Sequence, residues 1–339
     1  MKNYKLGIRT YATDFGLYGS IPLDWIVGEG IQKSDVVFIA ETPINMERQK
    51  AFAEKGYDVV YLKQYPGILK ESAWKYLLSR VWFDDYLTYN DFSPSHHIRN
   101  RVFREQGIRT WYYPHSSNQV DAYVSSRVPT VHDGLDIDNI FVWNNHMMSY
   151  FLSHAAYVGN VWLTGCLWSS LIDGERKRII AVFDTTWKPP APEADTSRIE
   201  GQFYAFVSDL VREFPNHTVI YKPKNTRVPQ IPGVIFSHEN QNISPLISQA
   251  DFVISAPFTS PSLIALGAGR RGYWFCPEGF CPESYYHNYP NVLVSSVEDL
   301  RENLGKRQLV HPGIEPFHNG QGIWKAREAM QNVAGRSRE

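Results

Sequence analysis

Residues 251–269 read Asp-Phe-Val-Ile-Ser-Ala-Pro-Phe-Thr-Ser-Pro-Ser-Leu-Ile-Ala-Leu-Gly-Ala-Gly. The apolar run Asp251 to Ser255 has the length of a buried strand, the turn after it is rich in Pro, Ser and Thr, and Ser260 to Gly267 continues as an apolar helix. A short apolar strand that feeds directly into a helix is the repeating unit of a parallel sheet, because parallel neighbours need a crossover between them. The fold class follows from finding the same unit again on both sides of this one.

It recurs along the whole chain. Upstream, strands are predicted at Arg178 to Phe183 and His217 to Tyr221, with helices at Ser197 to Glu213 and Ser244 to Gln249. Downstream come strands at Gly272 to Phe275 and Asn291 to Val294, and helices at Val297 to Leu304 and Ile323 to Ala334. The first half reads the same way: strands at Asp35 to Ala40, Tyr57 to Leu62, Ile108 to Tyr113, Asn139 to Trp143 and Asn160 to Thr164. Helices are predicted between them at Asn45 to Lys55, Lys70 to Tyr89, Ser95 to Gln106 and His146 to His154. The polar segment Asp173-Gly174-Glu175-Arg176-Lys177 divides the pattern in two. The expected architecture is α/β, with a Rossmann-like domain over residues 1–172 and a second over 177–320. Residues 321–339 form a helix returning toward the first domain.

Composition narrows the function. With 339 residues and roughly 100–200 per domain, two domains with sizeable cores are expected. Thirty-four Lys+Arg against thirty-five Asp+Glu leave a net charge of -1, so no global field recruits nucleic acid. Three cysteines, Cys166, Cys276 and Cys281, have no metal-ligand spacing and argue against a disulfide framework, which suits a reducing cytoplasm. The amino terminus lacks a secretory apolar core and no run is long enough to span a membrane, so a cytoplasmic protein is expected, with peripheral association at the inner membrane. No Gly-x-Gly-x-x-Gly follows the first strand, Walker, Gly-x-Ser-x-Gly and His-Glu-x-x-His motifs are absent, and the adjacent pair His96-His97 cannot chelate from one helix face. No metal and no cofactor are expected.

Ligands of doubly wound sheets bind beyond the carboxyl ends of the strands, so candidate residues are those that follow strands. In the second half, Ser255, Pro257, Phe258, Thr259, Ser260 and Ser262 bring hydroxyls and backbone N–H groups to one helix start, a phosphate-binding arrangement. Ser260 with Pro261 also suits an ordinary helix cap. Lys222 and Lys224 flank Pro223 after a strand, where a cation would neutralise phosphate or a sugar carboxylate. Asp184, followed by Thr185 and Thr186, stands where a base, a nucleophile or a hydrogen-bond acceptor would face the reacting carbon, and equally where an Asx turn would form. In the first half Asp14, Glu41, His115, Ser116, Asn118, Asp133 and Asn144 offer carboxylate, imidazole and amide groups to a polyhydroxylated acceptor, with Glu41 and His115 as candidates for the base. Of the abundant aromatics, Trp162, Trp274, Phe252 and Phe275 read as core. Trp111, Tyr112, Tyr113, Trp143, Trp187, Tyr285 and Tyr286 read as cleft residues that could stack on a sugar or nucleobase.

The run Ala250 to Pro261, with Thr164-Gly165-Cys166, Ala181 to Thr186 and Tyr221-Lys222-Pro223-Lys224 around it, resembles bacterial surface-polysaccharide biosynthesis proteins that carry a Pro-Phe-Thr-Ser signature. The resemblance covers chiefly residues 160–280 and implies a glycosyltransferase of the GT-B class, two Rossmann-like domains facing a cleft. In that class the second domain holds the nucleotide-sugar donor and the first holds the glycan acceptor. A basic-residue-Pro element before a Ser/Thr-rich helix start is similar to enzymes using CMP-activated acidic sugars, such as Kdo- and sialyltransferases, although those carry His-Pro where this chain carries Lys222-Pro223. The resemblance thus implies a metal-independent transfer from a CMP-linked sugar to a lipopolysaccharide or capsule glycan, alongside other glycan-assembly enzymes. Alternatives are a UDP-sugar or CDP-polyol transferase, a UDP-sugar 2-epimerase of the same fold, and a non-catalytic nucleotide- or glycan-binding protein.

Overall fold

The computed structural model describes residues 2–10, 31–40, 46–62, 71–89, 94–114, 132–187, 196–224, 229–238, 242–277, 280, 291–306, 308, 325–326 and 328–331. The first half supplies β1 (Lys2–Thr10), β2 (Val36–Ala40), α1 (Met46–Glu54), β3 (Asp58–Tyr61), α2 (Glu71–Arg80), β4 (Val81–Thr88), α3 (Pro94–Glu105), β5 (Arg109–Tyr112), β6 (Asp136–Val142), α4 (Asn145–His154) and β7 (Tyr157–Leu163). The second supplies β8 (Ile179–Phe183), α5 (Glu200–Glu213), β9 (Thr218–Lys222), β10 (Ile235–Phe236), α6 (Ile243–Gln249), β11 (Phe252–Ser255), α7 (Pro261–Gly267), β12 (Arg271–Phe275), β13 (Leu293–Val294) and α8 (Val297–Leu304).

Two parallel sheets result, ordered β3-β2-β1-β4-β5-β6-β7 and β10-β9-β8-β11-β12-β13. Each starts in the middle, winds outward, returns to the starting strand and winds the other way. This is the doubly wound order, with its switch points between β1 and β4 and between β8 and β11.

Two expected elements are corrected by this pairing. The helix predicted over Lys70 to Tyr89 stops at Arg80, and Val81 to Thr88 is a strand. Its Val, Trp, Phe and Tyr residues suit a pleated surface, and it runs parallel to β1 from Lys2 opposite Val81 to Ile8 opposite Leu87. The other, β1, carries no strand prediction, yet it is the centre of the first sheet. Its charged residues mask a period-two pattern in which Tyr4, Leu6 and Ile8 are buried.

One large apolar cluster draws on both sheets, including Leu6, Phe38 and Ile140 from the first and Ala181, Val253 and Trp274 from the second; Ala326, Ala329 and Met330 near the carboxyl terminus are buried in it too. Separate clusters lie under α2 and α3 and under α5 and α8. The connecting segment packs on the second half: Ser169 Oγ donates to Ile264 O at 2.8 Å, while Leu167 N–H donates to the Tyr113 hydroxyl at 3.0 Å. Against the expectation from the cysteine count, Cys276 is in a disulfide; Cys166 is a free thiol, whose pKa burial pushes up to about 12. Among the described residues no helix is long and apolar enough to cross a membrane.

Helix α7 lies unusually close to β12. A Cβ on Gly272 would stand 2.3 Å from Ser262 O and 3.1 Å from Leu266 Cγ, and a backbone carbonyl cannot swing aside as a side chain would. Gly272→Ala is therefore expected to lower unfolding stability by about 1–3 kcal/mol, the usual cost of overpacking, read as a reduced urea midpoint at constant slope. An unchanged midpoint would mean that α7 is held less firmly than its contacts imply.

Candidate functional site

The carboxyl edge of the second sheet is built around its switch point. Strands β8 and β11 run side by side from Ile180 opposite Phe252 to Phe183 opposite Ser255, and Ala256 N–H donates to Phe183 O at 2.8 Å just past them. The chain then separates on both sides, Asp184-Thr185-Thr186 leaving β8 and Pro257-Phe258-Thr259-Ser260 leaving β11. On the far side of β8, Lys222-Pro223-Lys224 ends β9. The structure therefore brings the second-half candidates to one edge.

Within that group the side chains divide into those that hold the edge together and those that face it. Ser255 and Ser262, expected at the donor, belong to the first kind: both are fully buried. Ser255 Oγ accepts from Ser262 N–H at 3.0 Å and from Ser262 Oγ at 2.7 Å, and Ser262 Oγ also lies 2.7 Å from Tyr273 O. The capping oxygen of α7 thus comes from the end of β11, and Ser260 makes no side-chain capping bond. The turn is stiff. Phe258 adopts φ +59°, a left-handed conformation that costs a bulky residue of order 1–3 kcal/mol. Three contacts hold it there: its ring packs 6.3 Å from Phe280, Thr259 Oγ1 donates to Ala256 O at 2.8 Å, and the Trp274 indole donates to Thr259 O at 3.1 Å. With Ser260 O accepting from Ile264 N–H, the carbonyls of Ala256, Thr259 and Ser260 are all engaged inside the protein.

Asp184 is 4% exposed. Its Oδ2 accepts from the Tyr221 hydroxyl at 3.1 Å, and its Oδ1 accepts from the backbone N–H of Lys224. Behind Tyr221 stands Tyr204, ring centroids 6.4 Å apart, whose hydroxyl donates to Glu200 Oε1 at 2.7 Å. Burial pushes the Asp184 carboxyl up to about 6, against the pull of the Lys224 amide, the Tyr221 hydroxyl and the charges of Lys224 and Lys222. Burial also raises the Tyr221 and Tyr204 hydroxyls, which stay protonated as donors. Lys222 is buried at the end of β9, Thr185 is buried, and Thr186 and Lys224 are exposed.

The first-half candidates fare differently. Asp14, Glu41, His115, Ser116 and Asn118 lie outside the described residues. Asp133 does not follow a strand: it precedes β6, at the amino edge opposite the expected site, and pairs with His154 Nδ1 at 3.3 Å. The pair Asp133-Gly134 leads into a strand here, where the acceptor reading needed it to leave one. Asn144 does stand at the carboxyl edge, but its side-chain oxygen accepts from Met147 N–H at 2.8 Å and caps α4. His146, in the first turn of the same helix, carries no sequence-based expectation; burial lowers it, so it is neutral at physiological pH. The aromatics expected to line the cleft are core. Trp111, Tyr112, Tyr113 and Trp143 are at most 2% exposed, the Trp111 indole donates to Asp85 at 2.8 Å and its ring stacks on Phe141 at 5.3 Å. Trp187 packs against Phe203 and Tyr204, and Tyr285 and Tyr286 lie outside the described residues. Among the described residues no three His, Cys, Asp or Glu side chains form a metal-binding group.

The pH dependence of stability reports on Asp184. Its folded-state pKa lies above the ordinary carboxylate value, so the fold binds this proton more tightly than the unfolded chain; the contribution favours folding below that ordinary value and is lost as pH rises through about 6. Asp184→Asn is expected to flatten the dependence between about pH 4 and 6 and to gain about 3 kcal/mol over the wild type at pH 7.5. Thermal melts across that range check this, and a less stable variant at pH 7.5 would overturn it.

Residues 50–304 match the family described as polysaccharide biosynthesis PFTS motif protein. No curated protein matches the chain by sequence. Among solved structures, the UDP-GlcNAc 2-epimerase from Methanocaldococcus jannaschii superposes with a TM-score of 0.59 at 9% identity, over 97% of this chain and 99% of that one. The Anabaena protein HepE, in complex with UDP and glucose, gives 0.56 at 9% over 98% and 100%. The wall teichoic acid polymerase TagF gives 0.51 at 9% over 98% and 90%. At such identity the likeness is one of fold, the two-domain Rossmann-like architecture of GT-B proteins. The signature that names the matched family is the stiff turn Pro257-Phe258-Thr259-Ser260 at the second switch point, and with three quarters of its length matched the chain belongs to the polysaccharide biosynthesis PFTS motif family.

Proposed function

We propose that the protein is a glycosyltransferase of glycan biosynthesis whose nucleotide-sugar donor binds at the carboxyl edge of the second sheet. The observation that carries this reading is the placement of a preorganised turn at the switch point and a lysine-bearing strand end one strand over on the same sheet edge, in a family of polysaccharide biosynthesis. The carbonyls of Ala256, Thr259 and Ser260 are engaged internally, and a phosphate would be met by backbone N–H groups of the turn. Lys222 supplies the counter-charge as negative charge develops on the departing nucleotide. UDP bound to HepE, a protein of the same fold, supports a nucleotide at this class of cleft. The acceptor base then comes from the first half, for which Glu41 and His115 remain the candidates.

The narrower form of the proposal is a CMP-linked acidic sugar of the Kdo or sialic-acid kind, since a single phosphate matches a single turn and the sugar carboxylate matches Lys222. The product is a surface glycan such as lipopolysaccharide or capsule, made at the cytoplasmic face of the inner membrane without a metal. A second reading, 2-epimerisation of a UDP-sugar, is favoured by the epimerase among the structural neighbours.

Melting the purified chain with CMP-, UDP-, GDP- and CDP-activated donors, followed by donor turnover and by NMR of the sugar, separates these readings. The expected outcome is stabilisation by one nucleotide class, slow donor hydrolysis, and loss of most of the stabilisation in Lys222→Ala. Stabilisation by UDP-sugars alone removes the CMP assignment, and inversion at C2 of UDP-GlcNAc without hydrolysis favours the epimerase. Binding without turnover, even with acceptor glycans supplied, makes the chain a binding protein. No stabilisation by any donor sinks the donor site.

A further inference from the structure

Strand pairing between β8 and β9 ends at Phe183 opposite Lys222. The residue after β9 is Pro223, which has no N–H to donate, so the ladder cannot continue through it. Beyond the proline the first available donor is the backbone N–H of Lys224, and it is taken by the Asp184 side chain. The other carboxylate oxygen is taken by Tyr221, which lies in β9 itself. Asp184 therefore stitches the end of its own strand to β9 at two points, one on either side of Lys222 and Pro223. Neither oxygen points to a ligand without first giving up a partner, and the side chain is almost wholly buried.

We infer that Asp184 and Tyr221 form a clamp that positions the Lys222-Pro223-Lys224 segment, making Asp184 a positioning residue and not the group that touches the sugar. The inference rests on the reading of this edge as the donor site and revises the role expected of Asp184 within it. A lysine at the end of a strand has four flexible carbons, and its amine can be aimed only if the backbone carrying it is fixed. Pro223 restricts that backbone at one dihedral, and the clamp restrains it on both sides. Tyr204 and Phe203 pack against Tyr221, and a hydrogen bond to a carboxylate as buried as that of Asp184 is stronger than one in water.

The test uses three variants of the full chain. Asp184→Asn keeps an oxygen able to accept from the Lys224 amide, Asp184→Ala removes both bonds, and Tyr221→Phe removes one. Hydrogen exchange of the Lys224 amide is read in fragments resolving that residue, with UDP and CMP titrations alongside. Expected are protection within about threefold of wild type in Asp184→Asn and a loss of about tenfold or more in Asp184→Ala, with Tyr221→Phe between them. Affinity for whichever nucleotide the wild type binds should follow the same order. Unchanged Lys224 protection in both Asp184→Ala and Tyr221→Phe overturns the clamp. Equal loss of nucleotide affinity in Asp184→Asn and Asp184→Ala, with the amide still protected in the former, also overturns it by showing that the carboxylate meets the ligand directly. If Asp184→Ala does not fold, Tyr221→Phe must still lose more Lys224 protection than Asp184→Asn, and the reverse order or no loss in Tyr221→Phe overturns the clamp. If the wild type binds neither nucleotide, the CMP and UDP forms of the donor reading fail while exchange continues to decide the clamp.

Discussion

The pairing of β8 with β11 is the constraint on which the rest of the molecule depends. The two strands lie about seventy residues apart in sequence but side by side at the switch point, and the hydrogen bond from Ala256 to Phe183 O closes the pair at its carboxyl end. Chain leaving β8 must cross to β9 on one side, while chain leaving β11 crosses to β12 on the other. Parallel strands joined by right-handed crossovers leave the sheet in opposite directions at such a point, which is where doubly wound folds form a crevice. Asp184, the Pro-Phe-Thr-Ser turn and, one strand over, Lys222 are neighbours for that reason alone.

The edge is built mainly of polar groups that hold the protein's own chain together. Ser255 gives its hydroxyl to the start of α7, Thr259 and Trp274 lock the turn that follows β11, and Asp184 ties two strand ends together. Each bond satisfies a donor or acceptor that would otherwise be buried unpaired, and each removes freedom from a segment that would otherwise be a loop. The left-handed Phe258 fits this picture: a costly conformation persists where several contacts overdetermine it. Close approach of α7 to β12 over Gly272 completes the brace, so the signature turn is held from below by the sheet, from the side by Trp274 and from behind by Phe280.

Much of the layout was legible in the residues. Short apolar strands alternating with amphipathic helices specify two parallel sheets, and the strand-turn-helix from Asp251 points to the edge where the second-half candidates meet. Errors arose where one pattern imitates another. The aromatic, β-branched run Val81 to Thr88 follows α2 with no Gly or Pro between, so helix and strand merge to the eye. Strand β1 hides behind its lysines and arginine, although Tyr4, Leu6 and Ile8 alternate as a half-buried strand should. Asp133 followed by Gly134 is the same turn pair whether it leaves a strand or enters one, and only the position of β6 distinguishes the two.

The sequence by itself determined the α/β class, the alternation and the residue types available at the strand ends, because periodicity and turn chemistry are local properties of the chain. Which of those residues are consumed by the fold was decided only in three dimensions. Ser255, Ser262, Asn144 and the aromatics Trp111 to Tyr113 and Trp143 have the chemistry of a binding site but spend it on internal hydrogen bonds and packing. Tyr221, an ordinary strand residue in sequence, becomes the partner of Asp184 because the register of β8 against β9 sets them together. A hydrogen bond between residues far apart in the chain leaves no local pattern, and the division of labour at this edge is written in such bonds.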